Sequence, residues 1–139
     1  MSFGWRVHAA SVIGKGHIDL GCPCQDSVDF AHKDDRLVAV VCDGAGSARL
    51  SETGAKTCSS ALTTSLSGLS EDGHVAGTAN YRDFIVNAIG KARSTLSGTA
   101  LAIGCNIGEL ACTVVGAMLN ASGGYFFHIG DGVGVAKME

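Results

Sequence analysis

The stretch Leu37-Val38-Ala39-Val40-Val41-Cys42-Asp43-Gly44-Ala45-Gly46-Ser47 decides how the rest of the chain is read. Its six leading residues are all apolar, three of them are valines, and the run is short, which predicts a central strand buried on both faces. It ends in an acid followed by small residues, so a carboxylate stands at a strand end on backbone free to turn sharply. Upstream, Val28 and Phe30 alternate with polar neighbours behind a turn at Gly21 to Pro23. Trp5, Val7 and Ala9 alternate in the same way with Arg6, His8 and Ala10. Both patterns predict strands with one buried face.

Downstream the period changes. From about Ser51, Ala55, Cys58, Leu62, Leu66 and Leu69 recur every three or four residues, as on an amphipathic helix, with Gly68 and Gly73 at its exit. A polar connection from Ser70 to Asn80 leads to a second helical pattern through Tyr81, Ile85, Ala88, Ala92 and Leu96. Asp83 opens it and Lys91 and Arg93 stand toward its end, the order the helix dipole favours. Gly98 to Gly108 matches neither period. Ala111 to Leu119, Tyr125 to Ile129 and Val133 to Met138 then read as three strands of an antiparallel meander with Gly-rich turns between them. Strands, two helices and strands again predict an α+β fold rather than a doubly wound parallel sheet.

A length of 139 residues suits one domain, 1–139. Ten basic against 13 acidic residues leave a net charge of −3, which excludes the phosphate-neutralising surface a nucleic-acid partner requires. Apolar residues make up 46% and charged ones only 17%, below the roughly 25% of ordinary soluble domains, so there is apolar surface in excess that something must cover. Met1 to Ser11 holds one Arg and no apolar run, so neither a signal nor a transit peptide is read there and a cytoplasmic location is expected. The longest uncharged stretch, Leu110 to Phe127, is broken by Asn120, Gly123 and Gly124, and no membrane partner is expected. The six cysteines read as free, mostly buried thiols, Cys42 among them as a small core residue. His17, Cys22 and Cys24 have the spacing H-x4-C-x-C, without a second half of zinc spacing.

Three aspartates share one kind of position. Asp26 opens the second strand, Asp43 ends the third, and Asp131 follows Tyr125 to Ile129. Each alone is an ordinary turn residue. If their strand ends converge, the carboxylates raise one another's pKa unless a cation sits between them. Oxygen donors of this kind suit Mg2+ or Mn2+, and Gly44 would let the main chain approach such an ion.

Pro23-Cys24-Gln25-Asp26-Ser27, Val38 to Ser47, Cys112-Thr113-Val114-Val115-Gly116-Ala117 and Phe127-His128-Ile129-Gly130-Asp131-Gly132 resemble, in order, segments of the protein phosphatase 2C family. The resemblance implies an antiparallel β-sandwich of two sheets flanked by helices, four layers in all. It also implies a metal-dependent hydrolase acting on phosphoserine and phosphothreonine, with a phosphoprotein as partner. Asp43 would bridge two Mg2+ or Mn2+ ions, the Gly44 carbonyl would bind one of them, Asp26 would stand at or just behind the same centre, and Asp131 would match an additional, weaker metal position. Many members carry His where Ala45 stands, as proton donor to the leaving group, and Glu where Gln25 stands. Their phosphate-binding Arg has no counterpart, and nearby His17 is the candidate for that role. The family's domain continues past the matched segments, so 1–139 is expected to be a partial domain, lacking C-terminal strands and ligands, with little activity alone.

Two other readings compete. A nucleotide-binding module would use Gly44-Ala45-Gly46 between a strand and a helix to cradle phosphate, although Arg49 stands where the third glycine is required. A non-catalytic phosphatase-like module would bind a phosphoprotein without turnover. His8, His32, His74 and His128 read as structural, with His128 closest to a site strand. Arg49 and Glu52 are either a local ion pair or a substrate contact.

Overall fold

The computed structural model describes residues 4–68 and 81–137, so Leu69, the connection from Ser70 to Asn80 with Gly73 and His74, and Met138 and Glu139 lie outside the described residues. Four strands, β1 (Asp26–Lys33), β2 (Arg36–Asp43), β3 (Val114–Asn120) and β4 (Gly123–Ile129), form one antiparallel sheet in the order β1-β2-β3-β4. Between β2 and β3 run two long helices, α2 (Ser51–Ser67) and α3 (Tyr81–Ile103), followed by a 3₁₀ turn at Ile107–Leu110. A short helix, α1 (Lys15–Leu20), precedes β1 and ends at Gly21, whose φ of 66° is the left-handed cap that glycine adopts without strain.

Strand alternation sends Val38, Val40 and Cys42 of β2, with Val114 and Met118 of β3, to one face of the sheet. There they meet Ala55, Cys58, Leu62 and Leu66 of α2, the residues whose three-to-four spacing predicts that helix. α3 packs on α2 through Ile85, Ala88 and Ala92, and its first residue, Tyr81, stacks on Tyr125 of β4 at 4.4 Å between ring centroids. The α+β class is therefore as expected. The antiparallel sheet, with α2 running on to α3, contains no parallel strand-helix-strand unit, which removes the basis of the nucleotide-binding reading.

Several expectations are corrected. β2 is not buried on both faces along its whole length: Leu37 is buried on the face away from α2, but Val41 on that face is 48% exposed, because both long helices lie on the other side. The described residues contain one sheet, the second sheet that a sandwich requires is not among them, and Phe30, Val41 and Phe126 on the face away from α2 are exposed. The alternation holds only from Trp5 to His8, with Trp5 and Val7 half-buried and Arg6 and His8 exposed, while Ala9 and Ala10 are both exposed, and the segment forms no ladder; the Trp5 indole instead donates to the carbonyl of Asp35 in the β1–β2 turn. Residues 133–137 form no strand, because the chain turns across the sheet instead of continuing along its edge. The ambiguous Gly98 to Gly108 segment carries the last turns of α3 and the 3₁₀ turn; Gly98 has open space around it and interrupts nothing in a helix held by its neighbours. Among the described residues, no helix is long and apolar enough to cross a membrane.

Gly54 is the tightest point of this packing. A Cβ there would run into the backbone of Leu110, in the 3₁₀ turn, so α2 lies against main chain that cannot rotate aside. Gly54→Ala is expected to destabilise the protein by about 1–3 kcal/mol, even though Ala is the better helix former by roughly 1 kcal/mol. Urea unfolding checks this, and a stabilised variant would show that the contact is not the limiting one.

Candidate active site

The hairpin register sets Asp26 directly opposite Asp43 at the open end of β1 and β2. By alternation both carboxylates lie on the face away from α2. The backbone beneath them is held on every side. The Gly44 amide donates to the Gln25 carbonyl at 3.0 Å, Thr113 N–H donates to the Asp43 carbonyl at 2.7 Å, and Ala45 N–H donates to Ala111 at 2.9 Å. On the opposite face Ser27 Oγ and Ser59 Oγ, 2.9 Å apart, tie β1 to α2. Gly44 fits because an added Cβ would lie 2.7 Å from the Gln25 carbonyl and 2.8 Å from Ser51 Cβ. Its structural reason is close packing, which differs from the open approach to an ion expected from sequence.

Asp131 arrives by another route. Gly130, with φ of 99°, turns the chain after β4, and Gly132 then lies against the side chain of Val115. The segment crosses the open face and forms a cleft of about 350 Å³ whose walls include Val41, Asp43, Thr113, Val115 and Asp131. On the other flank, Ala10, Ser11 and Val12 border a second cleft with Asp26, Val41 and Asp43. Asp43 is common to both.

The chemistry at Asp43 follows from this crowding. Desolvation by the cleft walls, a hydrogen bond with Asp26 and the charges of Asp26 and Asp131 push its carboxyl above the usual carboxylate range. Two like charges held this close oppose each other, and a cation between them relieves that opposition. The donors are oxygens only, the set that hard divalent ions prefer. Three carboxylates within one ion's reach are not found among the described residues; Asp26 and Asp43 pair, and Asp131 acts across the cleft through its charge.

The remaining candidates fall elsewhere. His17 sits half-buried on α1, outside both clefts. His128 shares the face of Val41 and Val115 but bonds its own turn, with Nδ1 3.2 Å from the Gly130 carbonyl. Arg49 pairs with Glu109, not Glu52, at 2.8 Å, and this cation holds the Glu109 carboxyl below its usual range. Sequence reading missed one cluster. Cys42, Cys58 and Cys112 converge on the helix side of the sheet, and hydrogen bonds to Cys112 draw its thiol below the ordinary range while pushing Cys42 and Cys58 up. Spacings of 16 and 54 residues carry no motif that would announce it.

Residues 13–139 match the family described as Protein phosphatase 2C. The chain belongs to the protein phosphatase 2C family. It is similar to Serine/threonine-protein phosphatase 3 of Escherichia coli (strain K12), 30% identical over 134 residues. That match covers 92% of this chain and 51% of the relative, so the chain spans about half the length of the curated protein it matches. No solved structure matches it. The matched region contains Asp26, Asp43 and Asp131, so the acidic end of the sheet lies within the phosphatase 2C segment.

Because the folded protein raises the pKa of Asp43, its carboxyl contributes stability below the ordinary carboxylate range and loses it as pH rises through the raised value. In chelator, Asp43→Asn is therefore expected to raise the Tm at neutral pH, with the gain vanishing below about pH 4. Thermal unfolding followed by circular dichroism across pH checks this; an equal Tm for both proteins at neutral pH would remove the electrostatic conflict.

Proposed function

We propose that the protein hydrolyses phosphoserine and phosphothreonine monoesters of proteins, with Asp26, Asp43 and the Gly44 carbonyl holding Mg2+ or Mn2+ and Asp131 serving an additional, weaker ion position. The observation that carries this reading is the face-to-face pairing of Asp26 and Asp43 at a strand end, with the Asp43 carboxyl raised by its neighbour. Such a pair is unfavourable in the folded chain alone and becomes favourable with a cation between the two groups, which is how a metal-binding function is expected to burden a metal-free fold. Family membership and the Escherichia coli serine/threonine phosphatase support the reaction class.

Mg2+ or Mn2+ held by these residues would supply an acidified water and positive charge opposite the phosphoryl oxygens. The chain's own residues prepare for this. Asp26 and Asp43 present their carboxylate oxygens side by side at the strand end. The Gly44 amide bond to Gln25 holds the β1 and β2 ends together, and the Thr113 amide bond to Asp43 holds the β2 end to the segment ahead of β3. Asp131, carried across the sheet by the Gly130 turn, closes the acidic side of the cleft and leaves the other side open to a phosphorylated side chain. Ala45 has no proton to give, so the leaving serine or threonine oxygen takes its proton from solvent. The reading also places a second sheet over Phe30, Val41 and Phe126, completing the sandwich and supplying further ligands.

Phosphate release from a phosphothreonine peptide, followed against Mn2+ concentration, tests the assignment. Asp43→Asn is expected to lower kcat/KM by at least about 100-fold, more than the loss of a residue that only orients a ligand. Asp131→Asn should mainly raise the Mn2+ concentration needed. Equal Mn2+ binding by wild type and Asp43→Asn would sink the proposal.

A further inference from the structure

On the helix side of the sheet, directly behind the acidic end, three thiols from three different elements meet. Cys42 of β2, Cys58 of α2 and Cys112, just ahead of β3, place their Sγ atoms within 4.8 Å of one another. The register explains the meeting. Cys112 bridges to Gly44, one diagonal step from Cys42 on the same face, and Cys58 reaches both from the buried stripe of α2. All three are free thiols; Cys42 and Cys58 are buried, and Cys112 is partly open, which leaves one side for an ion to enter.

We propose that Cys42, Cys58 and Cys112 form a three-sulfur site for a soft, closed-shell cation, and that Cu(I) is the ion it fits. A metal–sulfur bond of about 2.3 Å in a trigonal plane sets the sulfurs roughly 4.0 Å apart. The observed spread needs a contraction of less than about 1 Å to reach that geometry. Thiolate donors select Cu(I) and zinc and leave Mg2+ and Mn2+ to oxygen donors. Zinc in a structural site takes four ligands, whereas the ligand group among the described residues stops at three, two of them buried away from water. A monovalent ion content with three sulfurs fits better.

Binding is a ligand exchange without electron transfer. Copper remains Cu(I), and each sulfur that binds as thiolate releases its proton to solvent. The ion would cross-link β2, α2 and the segment ahead of β3. That segment also supplies the Thr113 N–H that holds the Asp43 carbonyl, so occupancy stiffens the floor of the acidic cleft. The two donor sets lie on opposite faces of one strand and draw different ions, so this site stands whether or not the phosphatase reading does.

Anaerobic titration with Cu(I) against a chromogenic chelator, with excess Mg2+ present, tests the proposal, and copper K-edge absorption reads the donors. The expected result is one Cu(I) per chain bound by three sulfurs, with a raised Tm. Binding should persist when Cys22, Cys24 and Cys105 are all changed to Ser. It should weaken more than about 100-fold in Cys58→Ala and in Cys112→Ser, each checked for folding by circular dichroism, so that either variant suffices if the other fails to fold. Unchanged affinity in a folded Cys58 or Cys112 variant, loss of binding in the Cys22, Cys24 and Cys105 variant, or a linear two-sulfur ion would overturn it.

Discussion

The register of β1 against β2 is the constraint on which the rest depends. It places Asp26 opposite Asp43 and, by the two-residue period of a strand, commits Cys42 to the other face. A slip by one residue would bury a carboxylate under α2 and expose the core set of Val38, Val40 and Cys42. Burial of that set against α2 is therefore what holds the like charges together. Electrostatics disfavour the arrangement, and hydrophobic packing a few ångströms away enforces it.

One strand thus carries two donor chemistries back to back. Residue 43 presents oxygen toward an open, polar end, and residue 42 presents sulfur toward a helix in the dry interior. Each recruits its neighbours from distant sequence by the same two routes, an adjacent strand and a crossing segment. Asp43 gains Asp26 from the hairpin and Asp131 from the chain that folds over the sheet. Cys42 gains Cys112 from the next strand's approach and Cys58 from the helix above. The small residues at these points, Gly44 and Gly54, allow the backbone contacts that bring the pieces close.

Most of the elements were legible because each wrote its own period. The valines of β2, the Ala55-Cys58-Leu62-Leu66 stripe of α2 and the spacing of α3 all describe which side of a local element faces the core. Trp5 to Ala10 shows the limit of that logic. Its alternation survives as alternating exposure only from Trp5 to His8, and a strand exists only if a partner edge accepts its hydrogen bonds, which here none does among the described residues. Residues 133–137 fail in the same way, since the Gly130 turn directs the chain over the face instead of along β4. Arg49 shows it at the level of one side chain: the near acid, Glu52, lost to Glu109, brought alongside by the 3₁₀ turn.

By itself the sequence determined the α+β order, the single-faced helices, the three aspartates at strand ends and the resemblance to phosphatase 2C, because these are local patterns or ordered motifs. Tertiary structure alone decided which aspartates stand opposite each other, that β2 is open at Val41 and Asp43 on the face away from α2, and that three cysteines far apart in the chain share one point. Such pairings are set by register and by the angle at which segments cross, and neither quantity is encoded in the period of any single segment.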